Sequence, residues 1–193
     1  GTLQVEGNNS TGIAVDTALI GNLNSYGTLT TFGDNSFGVR TTAPITGSVT
    51  LDGTISSNGG GTSAVAIQGD VSGRLTLQGA ITSSGYRYRS LGTDAFVAKL
   101  DADDLLQGGS TVIVAGNVGG GVVFDTQPTE SDSTSNDDDV DGRLDSTEGS
   151  ASITSFGSAP AVTVGSTTQT VTLGAVGTGE AAYGFINRGS IVG

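Results

Sequence analysis

Apolar positions in this chain follow two periods at once. Over short stretches they alternate: Val49, Leu51 and Ile55 share one parity, as do Leu75, Leu77 and Ile81. That is the period of a half-buried strand, in which alternate side chains point to one face. Over longer stretches the pattern repeats. Gly12, Gly38 and Ala64 align, with 38 − 12 = 64 − 38 = 26 residues between copies. The same offset aligns Ile13 with Val39 and Val65, and Val15 with Thr41 and Ile67. It also aligns Leu19 with Ile45 and Val71, Leu23 with Val49 and Leu75, and Leu29 with Ile55 and Ile81. Glycine columns at Gly21, Gly47, Gly73 and at Gly27, Gly53, Gly79 punctuate the units. Ser25 and Thr41 are the two residues that break otherwise apolar columns.

Each unit therefore predicts two or three short strands separated by bends. Its β-branched content favours strands, and glycine at the corners supplies tight packing or positive φ. One unit cannot bury its own apolar face, whereas stacked copies make a continuous core. The expected fold is all-β: a right-handed parallel β-helix, or β-solenoid, with two inserted loops. The competing architecture is an antiparallel sandwich or barrel. It is disfavoured by the gapless repeat and by the scarcity of hairpin signals, of which Asp52-Gly53 and Asp141-Gly142 are the clearest. Residues 1–193 are expected to form a single solenoid segment of a longer chain, interrupted at 86–107 and at 125–149. The spacing of Val162, Val164, Val171 and Leu173 reads as one turn, and Tyr183, Phe185 and Ile191 as the start of another. That gives about seven turns and a rod of roughly 30–35 Å.

Composition narrows the chemistry. Among 193 residues there is no Cys, His, Met or Trp, so disulfides, thiolate or histidine metal sites and Ser-His-Asp catalysis are excluded. Seven basic against 19 acidic residues leave a net charge of −12, which does not suit nucleic-acid backbones. No apolar run is long enough to span a bilayer.

The strongest chemical signal lies in the second insertion, 125–149. Asp137, Asp139, Asp141, Gly142 and Glu148 fill every defined position of the calcium-loop pattern D-x-[DN]-x-[DN]-G-x5-E. Arg143 would offer its backbone carbonyl, and Asp145 occupies the ninth position. Calcium takes six to eight oxygen ligands, and this spacing wraps them around one ion. The flanks carry no helical pattern, so the expectation is a calcium loop on a β scaffold rather than an EF-hand. The plain alternative is a solvated acidic loop.

Other clusters point less far. Asp101, Asp103 and Asp104 form a second acidic cluster; carboxylates on β-helices can be catalytic, as in lyases and glycosidases, but no basic or acidic partner is placed near these in sequence, which favours a solvated loop. In a strand, Tyr86-Arg87-Tyr88-Arg89 would put its rings on one face. It fits a cover over the core better than a glycan platform. The run Gly119-Gly120-Gly121 is not followed by Gly-Lys-Ser/Thr and is no phosphate loop.

The repeat, together with the stretches 101–109, 158–165 and 182–191, resembles the passenger β-helices of bacterial autotransporter and adhesin-type surface proteins. The resemblance covers most of the chain. It implies an exported, extracellular protein at the bacterial outer cell surface, with a structural or adhesive role and no enzymatic activity. The expected partners are continuation of the same chain or head-to-tail self-assembly into a filament, together with surface glycans. The competing function is a carbohydrate-binding or carbohydrate-active β-helix. The scatter of carboxylates and the total of ten aromatic residues argue against it.

Overall fold

Strand-forming segments of two to five residues, each ended by a glycine or a small polar corner, cannot pair with their sequence neighbours. They pair instead with the equivalent segment one repeat away. The computed structural model describes residues 1–85, 93–99, 109–129, 136–138, 143–177 and 182–193. Within them the chain is a parallel β-solenoid in which each turn lays one strand on each of three sheets. Sheet I stacks Thr2–Glu6, Thr28–Phe32, Thr54–Asn58, Ala80–Ser84, Ser152–Phe156 and Ser190–Val192 in that order. Sheet II stacks Thr11–Val15, Phe37–Thr41, Ser63–Ile67, Val112–Val114 and Val162–Val164. Sheet III stacks Leu23–Ser25, Val49–Leu51, Leu75–Leu77, Val122–Phe124 and Phe185–Asn187. A narrow fourth sheet pairs Leu19–Ile20 with Ile45–Thr46. Single bridges continue it from Ile45 through Val71 and Val118 to Leu173.

The register reproduces the sequence repeat. Leu3 pairs with Leu29, Leu29 with Ile55 and Ile55 with Ile81, a step of 26 each time. Beyond Ser84 the steps lengthen. Val65 pairs with Val112, a step of 47, so 21 residues are added between sheets I and II. The short helix Asp94–Val97 lies in this first insertion. Ile81 pairs with Ile153, a step of 72, so a further 25 are added between sheets III and I. The step from Ile153 to Ile191 is 38, a net addition of 12 residues that reveals a third excursion. It lies between Val164 and Phe185 and contains an antiparallel bridge from Val176 to Tyr183. Val162–Val164, Leu173, Phe185–Asn187 and Ser190–Val192 therefore belong to one turn, not to two. With six strands in sheet I, the described solenoid is shorter than the sequence spacing suggests. At about 4.8 Å per turn its axis spans roughly 24 Å.

The inward columns form the core. Leu29, Ile55, Ile81 and Ile153 stack beneath sheet I, Val49, Leu75 and Val122 beneath sheet III, and Ile45, Val71 and Val118 beneath the fourth sheet, all at most 2% exposed. Thr41 sits in the column of Val15 and Ile67. It is fully buried, and its hydroxyl has no hydrogen-bond partner. A second polar column is satisfied: the Thr31 hydroxyl donates to Ser57 Oγ at 2.7 Å, and the Ser83 and Thr111 hydroxyls share a hydrogen bond of 2.6 Å.

Corners are held by side-chain ladders. Asn8 Oδ1 accepts the Asp34 amide, and Asp34 Oδ1 accepts the Gly60 amide. At another corner Asp70 Oδ1 accepts the Asn117 amide at 2.8 Å, and Asn117 Oδ1 accepts that of Thr172 at 2.8 Å. Each ladder satisfies amides that the bends leave outside the strand pairings. Gly33 occupies its corner with φ of 139°, and a Cβ there would run into the Gly7 carbonyl. No side chain fits such a close approach.

Candidate functional site

The second insertion leaves sheet III after Phe124 and rejoins the solenoid at sheet I. The residues that follow Ser25, Leu51, Leu77, Phe124 and Asn187 in register form a column along this corner. They are Tyr26, Asp52, Gln78, Asp125 and Arg188. At the last two positions the Arg188 guanidinium bridges both Asp125 oxygens, at 2.9 and 2.8 Å.

The insertion folds back along this column. Arg143 donates to the Asp52 carboxylate, two turns before the point of departure, and its guanidinium lies 4.3 Å from the Tyr26 ring centre, a turn further back. The same guanidinium donates to the Thr147 carbonyl at 3.0 Å and stands 3.7 Å from Glu148 Oε1. The Gly149 amide completes the contact by donating to Asp52 Oδ1 at 2.9 Å. Asp52 is 3% exposed and Glu148 5%. Two buried carboxylates thus share one arginine, which also stacks on an aromatic face. A planar guanidinium can serve all of these partners at once and an ammonium cannot.

Asp145 organises the rest of the described loop. It opens the 3-10 turn Asp145–Thr147 and is buried. Its carboxylate accepts the Asp138 amide, and its own amide donates to the Asn136 carbonyl at 2.9 Å. Gln127 Nε2 donates to the Asp145 carbonyl at 2.9 Å, tying the start of the insertion to its end.

Of the calcium-loop residues, Asp137, Arg143, Asp145 and Glu148 are described, and Asp139, Asp141 and Gly142 lie outside the described residues. Asp137 is half-buried. Asp145 and Glu148 are turned inward, one onto a loop amide and the other beside Arg143. Among the described residues no group of three or more Asp, Glu, His or Cys is close enough to hold a metal ion. The clusters Tyr86–Arg89 and Asp101, Asp103 and Asp104 also lie outside the described residues. Among the described residues no helix is long and apolar enough to cross a membrane.

The sequence pattern does not single out Asp52, Tyr26 or Gln78 as a site. Asp52-Gly53 reads as a hairpin signal, but the structure makes it a bend between two parallel sheets, and the Asp52 carboxylate is the anchor for the insertion. The available signal was a corner column that carries the large side chains Tyr26, Asp52 and Gln78 in successive units.

No protein-family model matches the chain, and no curated protein or solved structure is significantly similar to it.

Proposed function

We propose that this chain is a rigid structural segment of an exported bacterial cell-surface protein of the adhesin or autotransporter-passenger kind: a stalk, display or filament-forming solenoid without catalytic activity. The carrying observation is the unbroken column packing, in which each turn buries its apolar residues against the next. A stack of that kind resists bending and lengthens by simple repetition. Glu6 is the one carboxylate carried by a described strand, so no described sheet face presents the paired acids that glycoside hydrolysis needs. At the first and last turns Leu3, Val164 and Ile191 are 41%, 45% and 40% exposed. In this reading those turns accept a further turn, either from the same chain or from a second copy stacked head to tail. The second insertion binds one calcium ion through Asp137, Asp139, Asp141, Asp145, Glu148 and the Arg143 carbonyl, and surface glycans are the natural contacts of such a display segment.

Protease shaving of intact cells that produce the protein tests the location. An antibody to this segment should label the cell surface and lose its signal on shaving. Recovery of the segment only inside protease-treated cells would overturn the reading.

A further inference from the structure

Two departures from the 26-residue register border the same stretch of surface, the outer face of sheet III. The excursion before Phe185 folds onto it: Val176 and Tyr183 exchange backbone hydrogen bonds of 2.7 and 3.0 Å. Val176 and the outward-facing Val123 are only 6% and 1% exposed. On the other side the second insertion returns at Gly149, packed so closely that a Cβ there would lie 2.7 Å from the Gln78 carbonyl oxygen. Between the two lies a groove of about 630 Å³. Thr50 and Thr76 form its floor, Ser48 and Arg74 precede those strands, Gln78 and Asp125 follow their register, and Ala175 lines it from the excursion.

Three features make this groove a site. Gln78 lines the groove with a side-chain amide that makes no hydrogen bond among the described residues and is open to a ligand. Arg74 makes no ion pair among the described residues. Asp125, the one acid among the described residues that line the groove, is already neutralised by Arg188. On a chain of net charge −12 the groove therefore offers an uncommitted cation. Apart from Gly120 and Ala175 the rest of its lining is hydroxyl and amide, and no aromatic ring is among the described residues that line it.

That set of groups selects its ligand. An arginine fork binds a carboxylate in planar, charge-assisted geometry. Threonine hydroxyls and a glutamine amide exchange hydrogen bonds with sugar hydroxyls. Without an aromatic platform a neutral sugar loses its main apolar contact, so the carboxylate must supply the discrimination. We infer that the groove on sheet III, between the two excursions, binds a carboxylated saccharide, with the acid on Arg74 and the hydroxyls on Thr50, Thr76 and Gln78.

Titration of the full chain with trigalacturonate and with its methyl ester, followed by amide chemical shifts, tests the inference. The acid should bind about tenfold more tightly than the ester, the worth of one charge-assisted pair. Arg74→Gln should abolish that preference. Thr76→Val, which keeps the strand and removes one hydroxyl, should weaken acid binding several-fold and leave the preference intact. Equal binding of acid and ester by the wild-type chain, no binding of either at millimolar concentration, or a preference that survives Arg74→Gln would each overturn it. The wild-type comparison of acid with ester needs no variant to fold.

Discussion

Arg143 and Asp52, separated by 91 residues, form an ion pair that fastens the acidic insertion to the solenoid. The pair is largely desolvated, with side-chain exposures of 16% and 3%. Breaking such a pair leaves a charge buried without its partner, which costs more than the pair itself contributes. Arg143→Ala should lower the unfolding free energy by about 3 kcal/mol. Arg143→Lys should recover only part of it, because an ammonium cannot reach Asp52, the Thr147 carbonyl and the Tyr26 ring together. Urea unfolding of the three proteins measures this, and hydrogen exchange at the Gly149 amide, which donates to Asp52, should rise in parallel.

Thr41 predicts a gain. Its hydroxyl is buried among apolar neighbours without a partner, in the column of Val15 and Ile67. Thr41→Val keeps the shape and removes the unsatisfied group, and should stabilise the chain by about 1 kcal/mol. An unchanged or lower thermal midpoint would show that the hydroxyl is satisfied in solution.

The corner ladders should be worth a hydrogen bond each. Asp70 Oδ1 accepts from both the backbone amide and the side-chain amide of Asn117, at 2.8 and 3.1 Å. Asp70→Ala should cost about 1 kcal/mol in urea unfolding, while Asp70→Asn retains an acceptor and should cost less.

The architecture could be read from the sequence because the repeat runs without a gap through three units. A period of 26 with alternating apolar residues leaves each unit no partner but its neighbour. The third excursion was hidden for the opposite reason. Val171, Leu173, Tyr183 and Phe185 alternate well enough to look like a further turn, although only Leu173 and Phe185 keep solenoid register. The anchor for the insertion could not be read either. Tyr26, Asp52 and Arg143 meet only because the insertion doubles back along the axis, and no local spacing records that path. The calcium motif rests on spacing, and its central residues Asp139 and Asp141 lie outside the described residues.

Calcium binding is checked by calorimetry. Eight acidic residues between Glu130 and Glu148 repel one another without a cation. The wild-type chain should bind one calcium ion per chain at or below millimolar concentration, and Asp137→Ala combined with Glu148→Ala should abolish the heat. β content by circular dichroism should survive chelation, since the core columns lie outside the insertion. Absence of heat in the wild type would make the loop a solvated acidic insertion. Melting of the whole chain on chelation would make the ion part of the rod.

The central claim is the parallel, in-register stack, and the absence of cysteine allows it to be measured cleanly. Thr28, Thr54 and Ala80 are exposed and follow one another in register on sheet I. Adjacent positions lie about 4.8 Å apart and alternate ones about 9.6 Å. With a thiol cross-linker that spans one strand spacing, Thr28→Cys/Thr54→Cys and Thr54→Cys/Ala80→Cys should both close within the chain, and Thr28→Cys/Ala80→Cys should not. Closure of the outer pair, or failure of both adjacent pairs in the folded protein, would contradict the stack.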